Sequence, residues 1–128
     1  MALDEAGIPP DAIGYVQYHG TSTELNDRIE TRAVHLAFAG HARKLPGSSL
    51  KSLIGHPQGA CGAAGIAATL LGMQEGMVHP TINIDEAASE CDLDYVPRTA
   101  RRVDFEYALA NCIAFGSKNS ALVLRRVA

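Results

Sequence analysis

The chain has 128 residues, 47% of them hydrophobic and 20% charged, with a formal net charge of −3. That composition suits one globular domain with a modest core and excludes a disordered segment. No basic block stands out and aromatics make up only 5%, so a nucleic-acid partner has neither electrostatic nor stacking support.

Residues 1–8 read as the end of an amphipathic helix. Leu3 and Ala6 share a side, Gly7 is a stop, and Pro9-Pro10 forbid continuation. The opening stretch has neither a basic start nor an apolar signal core. Residues 14–18 read as a strand between two glycines. Thr21, Ser22 and Thr23 offer N-cap hydroxyls, and Asp27 with Glu30 offers an acidic capping pattern a turn later. Ile29, Ala33, Leu36 and Ala37 fall at i, i+4, i+7 and i+8, which predicts a core-facing stripe on a helix that Gly40 ends. Residues 48–50 sit where a buried strand would fit.

Pro57 opens a second predicted helix over 58–75, with Gly76 as its stop. It is apolar nearly all round, which predicts burial on most sides. Gly59, Gly62 and Gly65 recur every third residue, which predicts close backbone approach. The apolar run falls short of the roughly 20 residues a bilayer needs, so no membrane span is expected. Residues 77–91 read as loop, and 93–96, 107–114 and 121–127 as strands. The last two flank a hairpin-like connection from Phe115 to Asn119. This order gives an α/β arrangement, a mixed five-stranded sheet with helices.

Three segments concentrate unusual residues beside glycine: 19–23, 51–56 and 111–119. Each lies at a predicted strand end, where α/β proteins build sites. His56 precedes Pro57 at a helix start, where the dipole disfavours imidazolium and keeps the ring neutral. His19 taken alone reads as a satisfied strand-end histidine, and Lys51 as an exposed charge. The Arg101-Arg102 and Arg125-Arg126 pairs read as solvated surface. His35, His41 and His79 show no HExxH spacing, and Cys61, Cys91 and Cys112 no CxxC spacing, so no metal site is expected. Free thiols and the missing signal core predict a cytoplasmic protein. No GxSxG elbow supports a hydrolase.

Together these segments resemble the elongating β-ketoacyl-acyl-carrier-protein synthases, including the ketosynthase domains of polyketide synthases. The matching residues are HGTST at 19–23, Asp27 and Glu30, KSxxGH at 51–56 and GAxGAAG at 59–65. PTIN at 80–83, CDLDYVP at 91–97 and the stretch from Asn111 to Asn119 complete the set. The resemblance implies the C-terminal half of the thiolase-like fold over residues 1–128, with the N-terminal half and its nucleophilic cysteine absent. Cys61 falls at a small-residue position, Cys91 before a strand, and Cys112 where Ser is common, so none matches that nucleophile.

The resemblance further implies an acyltransferase, a 3-oxoacyl-acyl-carrier-protein synthase. It would perform decarboxylative Claisen condensation of malonyl-carrier protein with an acyl thioester, in fatty acid or polyketide biosynthesis. The isolated chain would be inactive in condensation. His19 and His56 would be N–H donors to the enolate oxygen, with Lys51 supplying positive potential beside them. Thr21 and Thr23 would hold the pantetheine arm, and Phe115 would give an oxyanion N–H and a gating ring. No cofactor of its own is implied, because phosphopantetheine is carried by the acyl carrier protein. The implied partners are that carrier protein, the missing half, and a second ketosynthase subunit in a homodimer or heterodimer. The alternative is a non-catalytic partner of the chain-length-factor kind. Two departures stand out. The family's Gly-Phe-Gly-Gly-Thr loop is Ala114-Phe115-Gly116-Ser117-Lys118, and a Glu often found near position 65 is Gly65.

Overall fold

The computed structural model describes residues 1–116 and 118–127. In chain order it holds α1 (Ala2–Ala6), β1 (Ile13–Gln17), α2 (Glu24–Phe38), β2 (Gly47–Ser48), α3 (Lys51–Ile54) and α4 (Cys61–Glu75). Then come β3 (Met77–Val78), β4 (Arg101–Arg102), β5 (Tyr107–Ala114) and β6 (Lys118–Arg125). The main sheet has strand order β2-β1-β5-β6, with β1 parallel to both neighbours and β6 antiparallel to β5.

β1 is central and covered on both faces, which is why it reads as an unbroken buried run and not as an alternating one. A register shift between Ile13 and Tyr15 turns Ile13 and Val16 to one face and Tyr15 to the other. On the first face Ile13, Val16 and Leu109 pack against Val34 and Phe38 of α2 and against Leu45. On the second, Tyr15 and Ala108 pack against Met73 of α4 with Val78, Val96 and Phe105.

Several expectations are corrected here. The stripe of Ile29, Ala33, Leu36 and Ala37 points outward, with Leu36 76% exposed. The face that packs is Glu30, Thr31, Val34 and Phe38. It is the polar residues at its upper end, taken up by hydrogen bonds, that hide this face from a hydrophobic count. The main sheet has four strands where five were expected, because residues 93–96 stay irregular. Val96 has a positive φ of 48°, and its N–H is taken by the Asp94 carboxylate and not by a neighbouring strand. Within the predicted loop, Met77 and Val78 pair instead with the exposed Arg101 and Arg102 as a separate two-stranded ribbon.

α4 begins at Cys61, after a 3-10 turn at Gln58–Ala60, so Pro57 stands four residues before the helix. Its burial is one-sided: Gly65, Thr69 and Met73 are buried, and Leu71 is 61% exposed. Close backbone approach occurs at none of the three glycines singled out but at Gly72. A Cβ there would stand 2.5 Å from the Met77 carbonyl oxygen. β6 starts three residues earlier than expected. Ser117 of the connecting hairpin lies outside the described residues. Among the described residues no helix is long and apolar enough to cross a membrane.

Candidate active site

His19 lies two residues past the end of β1, beyond the hydrogen-bonded ladder, and its side chain is buried. Its backbone turns sharply into Gly20, which has a positive φ of 47°. A Cβ at Gly20 would fall 2.5 Å from the Ser49 Cβ, so only glycine fits both the angle and the space.

Glu30 holds this turn from α2. Its Oε1 accepts from the His19 N–H at 2.8 Å and from Asn111 Nδ2 at 3.1 Å. Its Oε2 accepts from the Gly20 N–H at 2.9 Å and from Asn26 Nδ2 at 3.3 Å. Burial pushes the Glu30 carboxyl above its usual range, and the four N–H donors pull it back down. A carboxyl met only by donors is matched in its ionised form.

α3 is a single helical turn that opens on Lys51. The Lys51 Nζ lies 3.3 Å from His19 Nδ1 and donates to the His19 carbonyl at 2.5 Å. An ammonium is donor-only, so Nδ1 must accept, and the ring proton sits on Nε2. Burial, then the Lys51 charge, then His56, lower the His19 pKa from 6.5 to about 4. His19 is therefore an uncharged N–H donor at neutral pH.

His56 follows the end of α3 and is exposed. Its ring stands edge-on to that of His19, with centroids 5.6 Å apart and planes at 79°. Its Nδ1 accepts the Gln58 backbone N–H at 3.0 Å, which again leaves the N–H at Nε2. The 3-10 turn after Pro57, and not the α-helix dipole, thus fixes this tautomer.

Lys51 borders two spaces. One is a cavity of about 250 Å³ between α4 and the β5–β6 hairpin, lined by Ile54, Pro57, Cys61, Gly65, Cys112 and Leu122 among others. The second is a groove of about 520 Å³ that runs past Thr21, Thr23, Ser49, Thr81 and Tyr95. The Thr21 and Thr23 hydroxyls are 2.8 Å apart at its edge. Phe115 is wholly exposed in the hairpin turn and lines neither space. The structure therefore brings His19, Lys51 and His56 together, sets Thr21 and Thr23 on the adjoining groove, and leaves Phe115 outside the cluster.

Sequence reasoning took Glu30 as a cap or motif member and missed its hold on His19. The available signal was Glu30, Val34 and Phe38 at i, i+4 and i+8. It also missed Gln17, whose Cγ lies 3.1 Å from the Cβ position of Gly65 and so fills the space before that glycine. Gln17 Oε1 meets the His79 Nε2 at 2.7 Å and accepts from the Tyr15 hydroxyl at 3.1 Å. A third omission is the contact between Cys61 and Cys112, with sulfurs 3.4 Å apart.

A mixed sheet carrying two tautomer-fixed imidazoles and a lysine at one strand end defines the C-terminal part of a ketosynthase-type fold. The family described as "Beta-ketoacyl synthase, C-terminal domain" matches residues 1–85, and this chain belongs to it. It is 41% identical over 126 residues to 3-oxoacyl-[acyl-carrier-protein] synthase 2 of Coxiella burnetii, covering 98% of this chain and 30% of that protein. A β-ketoacyl synthase from Burkholderia phymatum superposes with a TM-score of 0.93 at 42% identity, over 99% of this chain and 31% of the other. The ketosynthase complex of a type II polyketide acyl-carrier protein, bound to the hexaketide, gives a TM-score of 0.97 at 36% identity, over 100% of this chain and 31% of the other. The chain thus has a thiolase-like ketosynthase fold and spans about 30% of the length of the curated relatives it matches. These likenesses do not favour the chain-length-factor reading.

Proposed function

We propose that residues 1–128 are the C-terminal domain of a 3-oxoacyl-acyl-carrier-protein synthase and supply its decarboxylation residues. The observation that carries this reading is the pair of imidazoles, edge to face at 5.6 Å, each with Nδ1 occupied by a donor. In the proposed reaction malonyl-carrier protein loses CO₂, and the electron pair of the broken bond passes into the thioester as an enolate. The Nε2–H groups of His19 and His56 donate to the oxygen that gains the charge. The Lys51 ammonium adds positive potential and, after burial, helps keep His19 uncharged. The enolate carbon then attacks an acyl thioester held on a cysteine from outside these residues, and that thiolate leaves.

Thr21 and Thr23, on the edge of the 520 Å³ groove, are the proposed contacts for the pantetheine arm. Phe115 takes its gating role once another segment covers the hairpin. The domain needs no cofactor of its own, since the carrier protein brings the phosphopantetheine. The proposed assembly is cytoplasmic and dimeric, with a second ketosynthase subunit. Carrier-protein docking is supported by the related ketosynthase that was solved as such a complex.

The test is CO₂ release from malonyl-carrier protein by the full-length protein. His19→Ala and His56→Ala should each slow it about 100-fold or more, the effect of removing one preorganised donor. Undiminished release in both variants would overturn the assignment.

A further inference from the structure

The Cys61 and Cys112 sulfurs belong to separate elements, 51 residues apart in the chain, and stand 3.4 Å from each other. Cys61 opens α4 and Cys112 lies on β5. The Cys112 sulfur sits 3.6 Å from the Cβ position of Gly62, so the glycine makes the room that lets it reach Cys61. Both thiols are half-buried, and both line the 250 Å³ cavity beside Lys51. A ring nitrogen of His19 lies within 4.8 Å of both sulfurs. Simple packing accounts for one small side chain at each place. It gives no reason for two oxidisable atoms in contact at the inner end of the His19 cluster.

We propose that Cys61 and Cys112 form a reversible disulfide, making this cavity an oxidation site. The sulfurs need to approach by roughly 1.3 Å to reach bonding distance. The co-reactant is a hydroperoxide. One thiol attacks the outer peroxide oxygen; the O–O bond breaks, an alcohol (water for hydrogen peroxide) leaves, and a sulfenic acid remains. The second thiol attacks that sulfur and expels water. Two thiols lose two electrons and two protons, and one peroxide bond is reduced.

Burial and the neighbouring Cys61 push the Cys112 thiol up, and the Lys51 charge opposes them. The same ammonium, 3.3 Å from His19 Nδ1, opposes a divalent cation at this spot, so the donor set favours a bridge over a metal centre. The bridge ties α4 to β5 and narrows the cavity between them. The inference does not rest on the reaction proposed above.

The experiment treats the full-length protein with hydrogen peroxide, alkylates free thiols, and cleaves after Glu, Lys and Arg without reduction. That separates Cys61 on peptide 52–75, Cys91 on 91–98 and Cys112 on 107–118. The expected product is 52–75 joined to 107–118, lost on adding dithiothreitol. The oxidised protein should also melt roughly 5 °C higher or more, because the bridge closes a long loop. Cys61→Ser and Cys112→Ser should each abolish the joined peptide and the melting shift. Unlinked 52–75 and 107–118, or either of them joined to 91–98, would overturn the proposal. So would a cobalt(II) thiolate absorption band that needs both cysteines and whose metal blocks the oxidation.

Discussion

Helices α2 and α4 are each 15 residues long and lie on opposite faces of one sheet. α2 has the sequence of an amphipathic helix, yet it turns Ile29 and Leu36 to the outside and buries Glu30 and Thr31. α4 is apolar nearly all round, yet only Gly65, Thr69 and Met73 are buried. One helix is held by polar atoms that also hold the site. The other is held by Met73 packing on Tyr15 and Ala108, and at Gly72 its backbone lies close to the Met77 carbonyl that follows it. Hydrophobic periodicity is thus no guide to the inner face when that face has the His19–Gly20 turn to support.

The comparison breaks first at Glu30. Glu30→Ala leaves the His19 and Gly20 N–H groups without their acceptor, and should cost about 3 kcal/mol or more in guanidinium unfolding. A loss below about 1 kcal/mol would mean that α2 does not hold the turn. Gly72→Ala tests the other helix. Helix propensity alone favours Ala by about 1 kcal/mol, but the 2.5 Å approach to the Met77 carbonyl should reverse the sign. We expect a net destabilisation of about 2 kcal/mol from that overpacking.

A smaller effect follows from pH. His19 protonates near 4 when folded and near 6.5 when unfolded. Between those values the unfolded chain binds more protons, so stability falls as pH drops from about 6.5 to about 4. NMR titration should show the His19 ring still uncharged at pH 5, and unfolding at pH 7 and 5 should show the decline. An imidazole that titrates near its ordinary value would remove Lys51 and burial as its controls. Least of all, Leu36→Ser should change the stability of this chain by less than about 0.5 kcal/mol, as befits an exposed position.

Much of the architecture was legible because it depends on local signals. Gly7, Gly76 and the strand-forming run before His19 marked their elements within a residue or two. The family resemblance, and not the residues taken singly, picked out His19, Lys51 and His56, whose side chains lie together. What could not be read was pairing and facing. Residues 93–96 carry strand-forming side chains, but a carboxylate two residues back takes the Val96 N–H, and the backbone turns left-handed there. Glu30 looked like a cap because a cap and a buried acceptor both need a carboxylate near N–H groups. Only the fold decides which groups those are. Cys61 and Cys112 carry no spacing signal at all, since their contact is made by α4 crossing β5.

The central position of β1 has a consequence for how the protein is made. Val16 finds its partner Gly47 soon after synthesis, but Gln17 must wait for Ala110, and Glu30 for Asn111. At ribosomal speeds that gap lasts on the order of ten seconds, with one edge of the nascent strand unpaired. The elements that anchor His19 therefore come together only once β5 has been made. That interval is when a chaperone has most to protect.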